Sequence, residues 1–117
     1  MKASEAVLVL TTAADDASAA ALARGLVGEN LAACVSRSAV RSVYRWESGA
    51  GAPAEVSKQK ICEEEEVMLV IKTSKSRVEQ MERRLLELHP YDTPEVVRIE
   101  PAHVDAKYLA WLVASVG

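Results

Sequence analysis

Glu63-Glu64-Glu65-Glu66-Val67-Met68-Leu69-Val70-Ile71-Lys72-Thr73 is the stretch on which the fold turns. Side chains alternate faces along a strand, so the unbroken apolar run Val67 to Ile71 puts apolar groups on both faces. Both faces therefore need cover, and helices of the same chain can supply only one of them. A sheet with one helical face and one uncovered apolar face is the arrangement to look for.

Working outward, Ala6 to Thr12 carries Val7-Leu8-Val9-Leu10, a second short apolar run that reads as a central strand. Asp15 and Asp16 then open a helix over 16–29, with Ala19, Leu22, Ala23, Leu26 and Val27 at helical spacing. After Asn30 the period changes. Val40, Ser42, Tyr44 and Trp46 share one face of a long second strand, and Arg41, Val43, Arg45 and Glu47 share the other. Residues 48–58 are small and include a proline, so they read as a loop inserted between strands two and three. Beyond strand three, placed over 61–73, Ser76 and Glu79 have capping-box spacing. Val78, Met81, Leu85 and Leu88 then stripe a second helix, which must stop at His89 because Pro90 follows. Val96 to Ile99 makes strand four, and Val104, Tyr108, Leu109, Leu112 and Val116 place a helix at the C-terminus.

The resulting order is β-α-β-β-α-β-α: an α+β, ferredoxin-like β-α-β-β-α-β sandwich with an extra C-terminal helix, in one domain over residues 1–117. Its two crossover helices cover one face of a four-stranded antiparallel sheet. The second apolar face of strand three and the aromatic face of strand two are left for other copies of the chain to cover.

Composition narrows the function. Seventeen acidic against fourteen basic residues give a net charge of -3, which leaves no field to hold a phosphate backbone and argues against nucleic acid. The N-terminal apolar run is too short for an export signal or a membrane span, and Cys34 and Cys62 read as reduced thiols, so a cytoplasmic location is expected. His89 and His103 have no nucleophile at a recognisable spacing, and Gly25 and Gly28 fall on a helix rather than in a phosphate loop. The inventory does not describe an enzyme.

What remains is a small set of candidate binding residues, each with a plain structural alternative. His89, fixed before Pro90, can act as a metal or anion ligand or can cap the last carbonyls of its helix. The run Glu63 to Glu66 offers hard oxygen ligands, of which strand alternation lets only two converge, or is a solvated strand end. Glu66, next to the apolar run, is the acid expected to be buried and paired. Tyr44, Trp46, Tyr91, Tyr108 and Trp111 can line a cleft or pack an interface. Cys34, in a small apolar run, is read as a buried core thiol.

Taken together, Glu29-Asn30-Leu31-Ala32-Ala33-Cys34-Val35, Tyr44-Arg45-Trp46-Glu47, Lys72-Thr73, His89-Pro90-Tyr91-Asp92-Thr93-Pro94-Glu95 and Tyr108-Leu109-Ala110-Trp111-Leu112 resemble the CutA family of divalent-cation tolerance proteins. The resemblance runs from Val7 to Ser115. It implies a homotrimer similar to the PII signalling proteins, with the strand-two and strand-three arm reaching a neighbouring protomer and open to a protein partner. It also implies a role in the response to metal ions, with copper or another divalent cation as ligand and no membrane attachment. By position in these strings, Trp46, Glu66, Lys72, His89, Tyr91 and Tyr108 would form an interface cleft, with His89 and Glu66 as the metal contacts. Two departures stand out. Copper-binding members carry Leu-Cys-Thr-Ala where this chain has Leu10-Thr11-Thr12-Ala13, and a histidine pair where it has Leu88-His89. The 48–58 loop is longer than the family's direct run into strand three.

Overall fold

The computed structural model describes residues 5–46 and 60–117. The 48–58 loop expected from the sequence lies outside the described residues. The elements follow the expected order: β1 (Ala6–Ala13), α1 (Asp16–Gly28), β2 (Cys34–Trp46), β3 (Lys60–Ser74), α2 (Val78–Leu88), β4 (Val97–Ile99) and α3 (Ala106–Val116). The four strands form one antiparallel sheet in the order β2-β3-β1-β4.

α1 and α2 pack on one face of this sheet. Val7, Val9 and Ala13 of β1 and Val67, Leu69 and Ile71 of β3 meet Ala19, Leu22 and Leu26 of α1 and Val78, Met81 and Leu85 of α2 in the main core. Alternation sends the intervening residues to the opposite face. There α3 covers only one end, where Leu109 and Leu112 bury Ala6. Leu8, Leu10, Met68 and Val70 stay half-buried on that face, and Val97 and Ile99 of β4 are 46% and 40% exposed. The uncovered apolar face expected from Val67–Ile71 is present.

The helix ends show why the chain turns where it does. Asp15 caps α1 by accepting from the Ser18 amide at 2.8 Å. At the other end Asn30 takes a positive φ of 59°, Asn30 N–H donates to Val27 and Leu31 N–H to Leu26, and buried Leu31 packs back over Leu26. This is the Schellman arrangement, with asparagine in the place usually held by glycine. Asp105 caps α3 through the amides of Lys107 and Tyr108, one residue earlier than a first-turn position.

Two local expectations are corrected. Ser76 does not form a capping box: its hydroxyl pairs with the Ser74 hydroxyl at 2.9 Å, and α2 starts two residues later without a side-chain cap. Cys34 is not a core thiol. The register Cys34↔Lys72 places it half-buried on the open face, because the core turn ends at Ala32 and the strand begins one step out of phase with it.

Candidate functional site

β3 is longer than its neighbour β1. Their pairing ends at Ala13↔Val67, so Lys60–Glu66 pairs with β2 alone, and the two strands form an arm beyond the helix layer. On one side of this arm alternation collects Val40, Ser42, Tyr44 and Trp46 from β2 and Lys60, Cys62, Glu64 and Glu66 from β3. The same side is continuous with the open face of the sheet.

The turn after α2 closes over the base of the arm. Pro90 forces His89 out of helical geometry, to φ -72° and ψ 129°. Its imidazole is buried, at 7% exposure, and reaches back to β1, where Nε2 lies 2.8 Å from the Thr12 carbonyl oxygen. A carbonyl only accepts, so Nε2 carries the proton, and Nδ1 accepts the Tyr91 amide at 3.1 Å. Tyr91 stacks at a tilt on His89, with centroids 4.8 Å apart, and its hydroxyl donates to Glu66 Oε2 at 2.9 Å. Between turn and arm lies a cleft of about 840 Å³, lined by Tyr44, Trp46, Glu64, Glu66, Met68 and the Tyr91–Glu95 turn.

The electrostatics of the cleft follow from its carboxylates and its partial burial. Burial, then a hydrogen bond to Glu64 and that residue's charge, push the Tyr44 hydroxyl up to about 12. Tyr91 is also raised, by burial first and then by its bond to Glu66. Burial lowers the His89 pKa, against the opposing pull of the Thr12 carbonyl and the Glu66 charge. The site thus holds a neutral imidazole and two tyrosines kept in their protonated form.

Of the residues expected to form one cleft, Trp46, Glu66, His89 and Tyr91 come together and two do not. Lys72 lies six residues from Glu66 along β3, about 20 Å at strand rise. It donates to Ser36 Oγ at 3.1 Å and sits 4.0 Å from Cys34 Sγ. Tyr108 is on α3, stacked on Trp111 at 5.4 Å. The six residues taken from the family strings left out Tyr44 and Glu64, although the sequence had offered Tyr44 as a cleft-lining aromatic and Glu64 as part of the acidic run. Their signal was the two-residue step that puts Tyr44 beside Trp46 and Glu64 beside Glu66 on one face.

A family whose description is CutA1 divalent ion tolerance protein matches residues 7–115. The chain belongs to this family. The Divalent-cation tolerance protein CutA of Pectobacterium atrosepticum is 38% identical over 112 residues, covering 95% of this chain and 92% of that one. Its namesake from Pyrococcus horikoshii is 36% identical over 107 residues, covering 92% and 94%. Among solved structures, CutA from Synechococcus elongatus PCC7942 superposes with a TM-score of 0.86 at 31% identity, covering 100% of this chain and 95% of that one. CutA from Xylella fastidiosa gives 0.84 at 33%, covering 97% and 100%.

Among the described residues, the donor set of a single chain does not fit a divalent metal ion. Both His89 nitrogens are engaged by main chain, and Glu66 already accepts a tyrosine hydroxyl. Among the described residues no three His, Cys, Asp or Glu side chains are grouped to hold a metal. At the two positions where the sequence departs from the strings it resembles, Thr11 points into the helix-side core, fully buried, and Leu88 has its Cδ1 beside Gly25 of α1.

Proposed function

We propose that the protein works as a homotrimer in the response to divalent metal ions, with the cleft at the base of the arm as its ligand site. The observation that supports self-association is the open sheet face: Leu8, Leu10, Met68, Val70, Val97 and Ile99 form an apolar surface that α3 leaves uncovered, and the number three is what the family resemblance implies. A second copy covers such a surface at the least cost, because it presents the same chemistry. Lys72, in the middle of that face, then lies in the interface and holds an anion or offsets an acid there, and Tyr108 with Trp111 walls its edge. Native mass spectrometry of the purified protein is the test. Three copies per particle is the expected result, and a monomer at working concentration would overturn it.

For the metal itself, calorimetric titration of Cu²⁺ and Zn²⁺ into wild type and His89→Ala separates two readings. A saturable isotherm lost in the variant supports direct coordination, with His89 released from Tyr91. Weak, indistinguishable isotherms support a PII-like scaffold trimer without a physiological metal. The second reading is favoured by Val43 and Ile61, apolar side chains 65% and 69% exposed on the other side of the arm, where a protein partner can dock.

A further inference from the structure

Lys72 carries a charge into the open face, in the row Cys34, Lys72, Leu8 and Ile99 that crosses all four strands. Among the described residues it is in no ion pair. Its ammonium donates to Ser36 Oγ at 3.1 Å and lies 4.0 Å from Cys34 Sγ. An ammonium has three donors, and one hydroxyl with a thiol, a weak acceptor, leaves it short of partners. Water completes its shell in a single chain. Once another copy covers the face that water is excluded, and an unpaired buried ammonium is costly. The covering surface must therefore bring an acid to this point.

Two copies meeting face to face across a two-fold axis through this row would set Lys72 against Lys72, like charge on like. A different patch of the chain has the opposite need. The arm projects beyond the helix layer, because Lys60–Glu66 pairs with β2 alone. On its open side Glu64 is exposed and, among the described residues, in no ion pair. Lys60, on the same side, is four residues away, about 13 Å at strand rise. Glu66 is held at the base of the arm by the Tyr91 hydroxyl.

Glu64 and Lys72 cannot meet within one chain. They are eight residues apart on β3, about 26 Å at strand rise. Between copies the approach is open. Lys72 leans toward β2, where Cys34, Ser36 and Ser38 give the face a strip of small side chains, the two serines exposed. A strand laid on that strip brings its carboxylate to the ammonium without displacing a bulky group.

We infer that Lys72 of one copy pairs with Glu64 of the next, so that the arm of each copy lies on the open face of its neighbour. The two partners come from different patches, which makes the contact heterologous, and such contacts close into a ring when the rotation allows. The inference rests on the trimer reading and names the residues that set its register.

The test is a charge swap read by subunit mass. Native mass spectrometry and light scattering over a protein dilution series give the dissociation midpoint of wild type, Lys72→Glu, Glu64→Lys and the double variant, with urea added where dilution alone leaves wild type assembled. Each single variant should dissociate at a protein concentration at least about tenfold higher, and Lys72→Glu/Glu64→Lys should return to within about threefold of wild type. A double variant no tighter than the singles overturns the pairing and leaves the trimer standing, as do singles as tight as wild type. A wild type that is monomeric throughout overturns both. Circular dichroism reads the fold of each variant. If a reversed charge unfolds the chain, Lys72→Met and Glu64→Gln replace the swap: their losses should not add, because residues so far apart in one chain couple only through contact between copies, and additive losses overturn the pairing.

Discussion

The imidazole of His89 ties the end of α2 to β1: its Nε2 donates to the carbonyl oxygen of Thr12, 2.8 Å away, while Nδ1 accepts from Tyr91. The bond from Tyr91 requires the neutral ring, whereas Nε2–H donates to Thr12 in either form, and burial lowers the ring's pKa below the ordinary 6.5. The unfolded chain therefore takes up this proton first as pH falls. Stability from this source is complete above about pH 6.5 and declines below it, toward the lowered native value. Urea unfolding of wild type at pH 7.5 and 5.5, compared with His89→Gln, should show a loss in wild type that the variant lacks. An equal loss in both would remove His89 from the explanation. His89→Ala should cost about 2–3 kcal/mol at neutral pH, since it strands the Thr12 carbonyl.

Thr11 and Thr73 are both fully buried on the helix side of the sheet, and only one is satisfied. Thr73 Oγ1 donates to the Leu31 carbonyl at 2.7 Å, fastening the turn after α1 to β3. Thr11 Oγ1 has no partner among the described residues. Valine at each position keeps the shape and removes the hydroxyl. Thr73→Val should therefore destabilise by about 1–2 kcal/mol, and Thr11→Val should be neutral or stabilising by up to about 1 kcal/mol. Thermal denaturation of the two variants checks the sign, and a clear loss in Thr11→Val would mean that its hydroxyl has a partner.

How much of this was legible in the sequence depends on the range of each signal. The period of Val67–Ile71, the stripe in α2 and the stop at Pro90 are local, and they placed every element to within a few residues. Asn30 marked the end of α1 for the same reason. The Ser76 capping box failed because a nearby hydroxyl, Ser74, competed for it, and spacing alone does not show competitors. The site was harder. His89 was singled out, but its partner is a main-chain carbonyl 77 residues away in sequence, and no side-chain pattern announces a carbonyl. Lys72 and Tyr108 were grouped with Glu66 by family strings, which carry no distances within one protomer.

The open face should respond to charge at β4. Val97 and Ile99 are exposed in the single chain and pair only with β1, so lysine at both positions leaves the monomer's core untouched. Val97→Lys/Ile99→Lys is expected to disperse the assembly while keeping the circular-dichroism spectrum of the wild type. Light scattering on gel filtration reads the mass. A variant with unchanged mass would show that copies do not meet over β4.

The cleft makes its own charge measurable through Tyr44. Its hydroxyl is held at about 12, by burial first and by the Glu64 hydrogen bond and charge next. Phenolate absorbance, taken as the difference between wild type and Tyr44→Phe, gives the midpoint directly. Glu64→Gln keeps an acceptor but removes the charge, so the midpoint should fall part of the way toward 10, leaving the contribution of burial. A midpoint unmoved by Glu64→Gln would show that the tyrosine is shifted by burial alone and that Glu64 faces away from the cleft.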